Sequence, residues 1–137
     1  MLNKKEIINN INTMWQWLPK YHRGHVFIVR AGAAMVLRGY RGTTNDIDIC
    51  VNKYLFKELE KDYGPSRYDE EHNVKIIQLP GNIDLCCANN HKMITHDIII
   101  PGIYVESEES LLETYKKLNR EKDQQWIKIL KDRALSI

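Results

Sequence analysis

Asp46 and Asp48 stand two residues apart at the start of an apolar run, and Asp84 lies inside another apolar run 36 positions after Asp48. Side chains alternate along a β-strand, so residues i and i+2 share a face. Two carboxylates held that close repel unless something positive sits between them. A divalent metal ion next to a bound phosphate is the economical partner. If the strands carrying Asp48 and Asp84 are neighbours, the three carboxylates converge. Such a set can hold two metal ions about 4 Å apart, one orienting a phosphate-bearing substrate and one lowering the pKa of an acceptor hydroxyl. Asp84 is then the ligand of the second ion, or the base near it. Magnesium is the expected ion, because all the ligands are oxygens and substrate phosphates complete the shell.

The residues upstream suit a phosphate. A small-residue turn at Gly32-Ala33-Ala34 follows an apolar strand, and a polar loop with Arg41, Thr43 and Thr44 leads into Asp46. A helix beginning near Gly32 presents unpaired backbone N–H groups and a positive dipole end. A glycine there lets a phosphate approach the backbone closely.

The surrounding elements follow from periodicity. Ile7, Ile8, Ile11, Met14, Trp15 and Leu18 form one apolar helical stripe, which Pro19 ends. Residues 26–29 read as a buried strand and 31–38 as a helix stopped by Gly39. Residues 47–51 read as the next strand, and Asn52 caps a helix over 53–62 that ends at Gly64. The polar segment 64–73 reads as a loop. Strands at 74–79 and 83–87 flank Pro80-Gly81, the central pair of a type II turn, which makes a hairpin carrying Asp84. Residues 98–100 and 103–105, split by another Pro-Gly, read as a second short pair. A helix enters through Ser107 with Leu111, Leu112, Tyr115 and Leu118 on its apolar side. Asn119 caps a last helix that buries Trp126, Ile127, Leu130 and Ala134. The expected fold is a mixed α/β (α+β) domain over 1–137, a small antiparallel or mixed sheet flanked by helices, with C-terminal helices over 107–134.

Composition narrows the class. The 137 residues are 43% hydrophobic and 28% charged with a net charge of +2, which suits one domain with a real core and decides nothing about nucleic acid. No apolar run approaches the roughly 18 to 20 residues that cross a membrane, and the N-terminus carries no signal-peptide pattern, so a cytoplasmic setting is expected. Three cysteines, with Cys86 and Cys87 adjacent, form no disulfide framework. Zinc on Cys86, Cys87, His91 and His96 is disfavoured, because adjacent strand residues face opposite ways. Arg38, Arg41, Lys53 and Lys57 read either as a basic patch beside the site or as solvated surface. The three tryptophans read as core or rim.

Gly32-Ala33-Ala34 followed by Arg41-Gly42-Thr43-Thr44-Asn45-Asp46-Ile47-Asp48-Ile49 resembles the nucleotidyltransferase superfamily, the DNA polymerase beta-like fold. That family's signature is a Gly-Gly or Gly-Ser after a strand, followed by Asp-x-Asp. The chain is most similar to the branch of AbiEii-type toxins and minimal nucleotidyltransferases. Its tail, Ser107 to Leu112 and then Asn119-Arg120-Glu121-Lys122-Asp123, resembles that branch's closing helices. The resemblance spans about residues 26–130. It implies transfer of a nucleoside monophosphate from a nucleoside triphosphate to a hydroxyl acceptor on a protein, an RNA or a small molecule, with pyrophosphate released. Asp46, Asp48 and Asp84 would be the catalytic metal ligands. Gly32 and Ala33 would offer amides to the phosphates, with Arg41 and Thr44 beside them and Lys122 reaching in from the C-terminal side. The chain departs from the pattern at Ala31, which stands where the family has its first glycine, preceded by Arg30.

Two other readings stay open. One is a catalytically inactive protein of this fold that acts by binding a protein or nucleic acid. The other is a member of a two-gene toxin–antitoxin system, with a small helical partner. So short a chain leaves little room for an acceptor site, so self-association or a partner would have to supply one.

Overall fold

The computed structural model describes residues 1–18, 26–70, 74–87 and 94–135. These form helices α1 (Lys4–Trp17), α2 (Ala31–Leu37), α3 (Lys53–Tyr63), α4 (Glu108–Leu118) and α5 (Gln124–Leu135). The strands are β1 (Ile28–Arg30), β2 (Ile47–Val51), β3 (Arg67–Asp69), β4 (Val74–Leu79), β5 (Ile83–Cys87), β6 (His96–Ile100) and β7 (Ile103–Glu106). All seven strands share one mixed sheet in the order β3-β4-β5-β2-β1-β7-β6. The mixed α/β class expected from the sequence is therefore present.

Two pairings matter most for the site. β1 runs antiparallel to β2, which sets Arg30 opposite Asp48. The end of β1, and the start of α2 behind it, therefore lie beside the beginning of β2. β2 runs parallel to β5, which sets Asp48 opposite Asp84 and Cys50 opposite Cys86. Alternation then separates two faces. Ile47, Ile49, Ile83 and Leu85 are at most 1% exposed and belong to the core. Asp48, Cys50, Asp84 and Cys86 share the other face.

Local signals explain most boundaries. Asn3 and Glu6 form a capping box at the start of α1, and Ile7, Ile11 and Met14 bury its stripe. Leu18 is fully buried at its end, whereas Pro19 lies outside the described residues. The Asn52 side chain accepts from the Leu55 N–H at 2.7 Å, as the cap reading requires. β2, β4 and β5 have the bounds expected.

Several expectations are corrected. The first strand is Ile28–Arg30, and Val26 is 41% exposed ahead of it. The turn after β4 keeps the expected form, with Gly81 at φ 89° as the second central residue of a type II turn requires, and Asn82 follows at φ 58°. The segment read as a loop over 64–73 contains β3, paired antiparallel with β4; residues 71–73 lie outside the described residues. A three-residue strand, Arg67-Tyr68-Asp69, carries no apolar alternation to betray it. Asn119 ends α4 in the left-handed conformation (φ 47°) instead of opening α5. A single 3-10 turn at Glu121–Asp123 leads into α5, with Arg120 gripping Asp123 through bonds of 2.7 and 3.0 Å. Leu118 and Ala134 are exposed, so the buried stripes of the last two helices are narrower than the periodicity implied. Among the described residues, no helix is long and apolar enough to cross a membrane.

Candidate metal and phosphate site

One carboxylate oxygen from each of Asp46, Asp48 and Asp84 lies within 4.8 Å of the others. The backbone forces this. Asp48 and Asp84 are register partners on adjacent parallel strands, and Asp46 precedes Asp48 by one full strand repeat. Ile47 N–H donates to the Asn82 carbonyl at 2.8 Å, which locks the entry of β2 to the hairpin turn just before Asp84. Asp46 is exposed and Asp48 half-buried, while Asp84 is only 9% exposed. The cluster therefore runs from solvent toward the sheet.

The electrostatics of Asp84 reflect its burial and its acidic neighbour, with Arg67 acting in the opposite sense. Burial pushes the Asp84 carboxyl above the ordinary carboxylate range; a hydrogen bond from Gln78 opposes this, and the Asp46 charge adds to it. Gln78 Nε2 donates to Asp84 Oδ1 at 3.3 Å from the neighbouring strand. The donor set is all oxygen and carries up to three negative charges, which fits a hard divalent ion. The thiols one rung deeper do not compete. A hydrogen bond with Cys50, and burial, push the Cys86 thiol strongly up, so it stays protonated. Cys86 pairs with Cys50 and Cys87 with Val51, so the adjacent cysteines do face opposite ways. His91 lies outside the described residues.

The second group of expected residues assembles beside the first. A Cβ on Gly32 would stand 2.6 Å from Thr44 Oγ1 and 3.1 Å from Arg41 Nη1, so only glycine admits both side chains against this turn. Thr44 is 3% exposed, and its backbone forms a two-way bridge with Leu2 at 2.7 and 2.9 Å. Arg41 Nε donates to the Thr43 carbonyl at 2.7 Å, and its guanidinium lies over the Trp126 ring, 5.1 Å from the centroid. Trp126 thus holds Arg41, a role that its place on a helical stripe did not reveal. Burial pushes the nearby Tyr115 phenol up to about 12, with Arg41 pulling the other way. Ala33 is 1% exposed, so its methyl is core. Lys122 is exposed in the 3-10 turn between α4 and α5.

Ala31 has φ 50°, the left-handed conformation that favours glycine. Its methyl therefore occupies the turn without abolishing the geometry. Arg30 is not a free cation for substrate: its Nη2 lies 3.4 Å from Glu106 Oε2 and 3.3 Å from Thr114 Oγ1. Arg38 also leaves the expected basic patch, since its side chain is 8% exposed and bonded to Asp97 at 2.8 Å. Glu106, fully buried, is the acidic residue that the sequence reading missed. Ser110 and Thr114, four residues apart, share one line of α4 just after the strand that ends in Glu106, and that was the available signal.

No family model matches this chain, and no curated protein matches it in sequence. Among solved structures, it is similar to a crystal structure from Thermotoga maritima described as a "putative nucleotidyltransferase". The two share 17% identity at a TM-score of 0.62, over 96% of each chain. The chain has the nucleotidyltransferase fold.

Proposed function

We propose that this protein is a metal-dependent nucleotidyltransferase that moves a nucleoside monophosphate from a nucleoside triphosphate to a hydroxyl acceptor. The observation that carries the reading is the convergence of Asp46, Asp48 and Asp84 within 4.8 Å on the sheet face opposite the core. Fold alone leaves the activity open, and the acidic cluster beside a glycine turn narrows it. The three carboxylates would hold a divalent cation, with magnesium the expected species. When bound, that ion supplies charge neutralisation on the phosphates and acidifies the acceptor hydroxyl.

The chain's own groups supply the rest. Asp84, oriented by Gln78, is placed to hold the proton released as the acceptor oxygen attacks. Arg41, fixed between Thr43 and Trp126, offers a guanidinium to the polyphosphate. Gly32 keeps the backbone open where Arg41 and Thr44 close in, and the Gly32 and Ala33 amides would serve the phosphates there. Lys122 is the outlying cation for the leaving pyrophosphate. The acceptor oxygen bonds to the α-phosphorus while the α–β bridging bond breaks. The acceptor is a protein, an RNA or a small molecule; an antitoxin-like role in a two-gene system in the cytoplasm, modifying a partner toxin or RNA beside a small helical protein, is the weaker setting that this reading allows.

Calorimetric titration of ATP, GTP, CTP and UTP in the presence of magnesium or manganese tests the proposal. Binding of at least one nucleotide that disappears on chelation is expected. Binding of none, with the protein folded, rejects it.

A further inference from the structure

Glu106 is a carboxylate with no exposure, and its partners join the α2 turn, through Arg30, Ala31 and Arg38, to Ser110 and Thr114 on α4. Oε1 accepts the Ala31 N–H at 3.0 Å. Oε2 accepts from Ser110 Oγ at 2.6 Å, from Thr114 Oγ1 at 3.3 Å and from Arg30 Nη2 at 3.4 Å. Its backbone carbonyl accepts from Arg38 Nε at 3.0 Å and Nη2 at 2.8 Å. Arg38 is the C-cap of α2, and Ala31 is its first residue. One residue of β7 thus grips both ends of the seven-residue helix.

The grip falls where the backbone needs it. Ala31 is an L residue at φ 50°, a conformation it leaves readily unless held. The next residue is Gly32, whose missing side chain lets Thr44 and Arg41 close on the turn. Rotation of Ala31 out of the left-handed region would swing Gly32 away from both. A carboxylate is rarely left wholly buried in a strand beside helices without a structural duty, because desolvation is costly unless each lone pair is used. Here the lone pairs are used, and one of them holds the Ala31 backbone N–H at the start of the turn.

We propose that Glu106 is a positioning residue: by accepting the Ala31 N–H it holds the left-handed turn that sets Gly32, Arg41 and Thr44 around the polyphosphate. The phosphate part of this rests on the nucleotidyltransferase reading. The role depends on reach, not on charge. Glutamine keeps the reach: its amide oxygen accepts from Ala31 while its NH2 donates to the Ser110 and Thr114 hydroxyls, and what it gives up is the long 3.4 Å contact with Arg30. Aspartate keeps the charge opposite Arg30 but is one methylene too short.

The test compares the full-length wild type, Glu106→Gln, Glu106→Asp, and Glu106→Asp combined with Ala31→Gly. The probes are manganese alone and manganese with inorganic triphosphate, read by calorimetry, together with amide exchange at residue 31. Manganese alone should bind all four proteins alike, since its ligands lie on β2, just ahead of it, and on β5. Triphosphate affinity should fall about tenfold in Glu106→Asp, stay within about threefold in Glu106→Gln, and return when glycine replaces Ala31, as expected for one charge-assisted hydrogen bond. Amide 31 should be protected in the wild type and in Glu106→Gln, and exchange fast in Glu106→Asp. Wild-type affinity and protection in Glu106→Asp, or weaker binding in Glu106→Gln than in Glu106→Asp, overturns the proposal. If Glu106→Asp does not fold, rescue of folding by Ala31→Gly supports the clamp, and its absence overturns it. A wild type that binds neither probe rejects the enzymatic reading, and amide exchange still decides the clamp.

Discussion

Asp48 and Asp84 are register partners across the parallel junction of β2 and β5, although 36 positions separate them in the chain. Parallel neighbours in register place equivalent side chains on one face. The pair is therefore a property of the sheet, fixed by backbone bonds and independent of any loop. Asp46, two residues before Asp48 and just ahead of β2, extends it toward solvent. Repulsion among the three is the energy that a bound cation recovers.

Magnesium or manganese should therefore stabilise the wild type against thermal unfolding. An ion at about 100 times its dissociation constant adds about 2.7 kcal/mol. Asp48→Asn should abolish that shift. Nucleotidyl transfer in Asp48→Asn should drop by at least about 100-fold, on the scale of about 3 kcal/mol of lost transition-state stabilisation. Scanning fluorimetry with and without EDTA checks the first two statements. An equal metal shift in wild type and variant would mean that the ion binds elsewhere.

The triad also fixes a pH dependence. Burial, and then the Asp46 charge, raise the Asp84 carboxyl above its unfolded value, while Gln78 holds it back. A carboxyl raised in the folded state favours folding while it is protonated. That contribution is fully present below the unfolded pKa and is lost as pH climbs through the raised folded value. In metal-free protein, Asp84→Asn should remove this loss, so the variant gains on the wild type as pH rises from the ordinary carboxylate range toward neutrality. Metal competes with the same proton, so metal affinity should weaken on acidification through that window in the wild type. Urea melts in EDTA across pH 4 to 8 measure the first effect; parallel wild-type and variant curves would remove Asp84 as the titrating group.

Much of this site was legible because its signals are local. Asp46 and Asp48 share a face by the strand period alone, and the Pro80-Gly81 turn announced the hairpin that carries Asp84. The neighbourhood of β2 and β5 was not local; it enters only as a condition that the sheet order then meets. Glu106 stayed hidden for the same reason. In sequence it abuts Ser107-Glu108-Glu109, a plausible exposed helix start. It is buried because β7 lies parallel to β1, whose Arg30 is 76 positions earlier. Asn119 shows a different failure: asparagine suits both an N-cap and a left-handed C-cap, and only the path of α4 into the 3-10 turn chooses between them. β3 is three residues stabilised by its pairing with β4, so no periodicity marks it.

Ala31→Gly should stabilise the protein. The methyl sits at φ 50°, where an L residue costs about 1 to 2 kcal/mol relative to its preferred regions and glycine costs nothing extra. Glycine loses part of that gain to its freer unfolded chain, leaving a net of about 0.5 to 1 kcal/mol. Chemical denaturation should show a raised midpoint with an unchanged slope. A lowered midpoint would mean that the methyl contributes packing worth more than the backbone strain it brings.

Gly32→Ala should do the reverse, by a mechanism that can be isolated. The new methyl would meet Thr44 Oγ1 at 2.6 Å and Arg41 Nη1 at 3.1 Å. Arg41 can yield at its flexible tip, though it would leave its place over Trp126. Thr44 cannot: it is 3% exposed, and its backbone is bridged to Leu2 in both directions. Overpacking of this kind costs about 1 to 3 kcal/mol. Thr44→Ala removes the hydroxyl that clashes, so the double variant should be more stable than the sum of the two single losses predicts, by about 0.5 kcal/mol or more. Nucleotide affinity should nevertheless stay low in the double variant, because a methyl still stands where Gly32 left the backbone open. Strict additivity in the stability cycle would show that the two residues do not press on each other, and with that the glycine would lose its explanation.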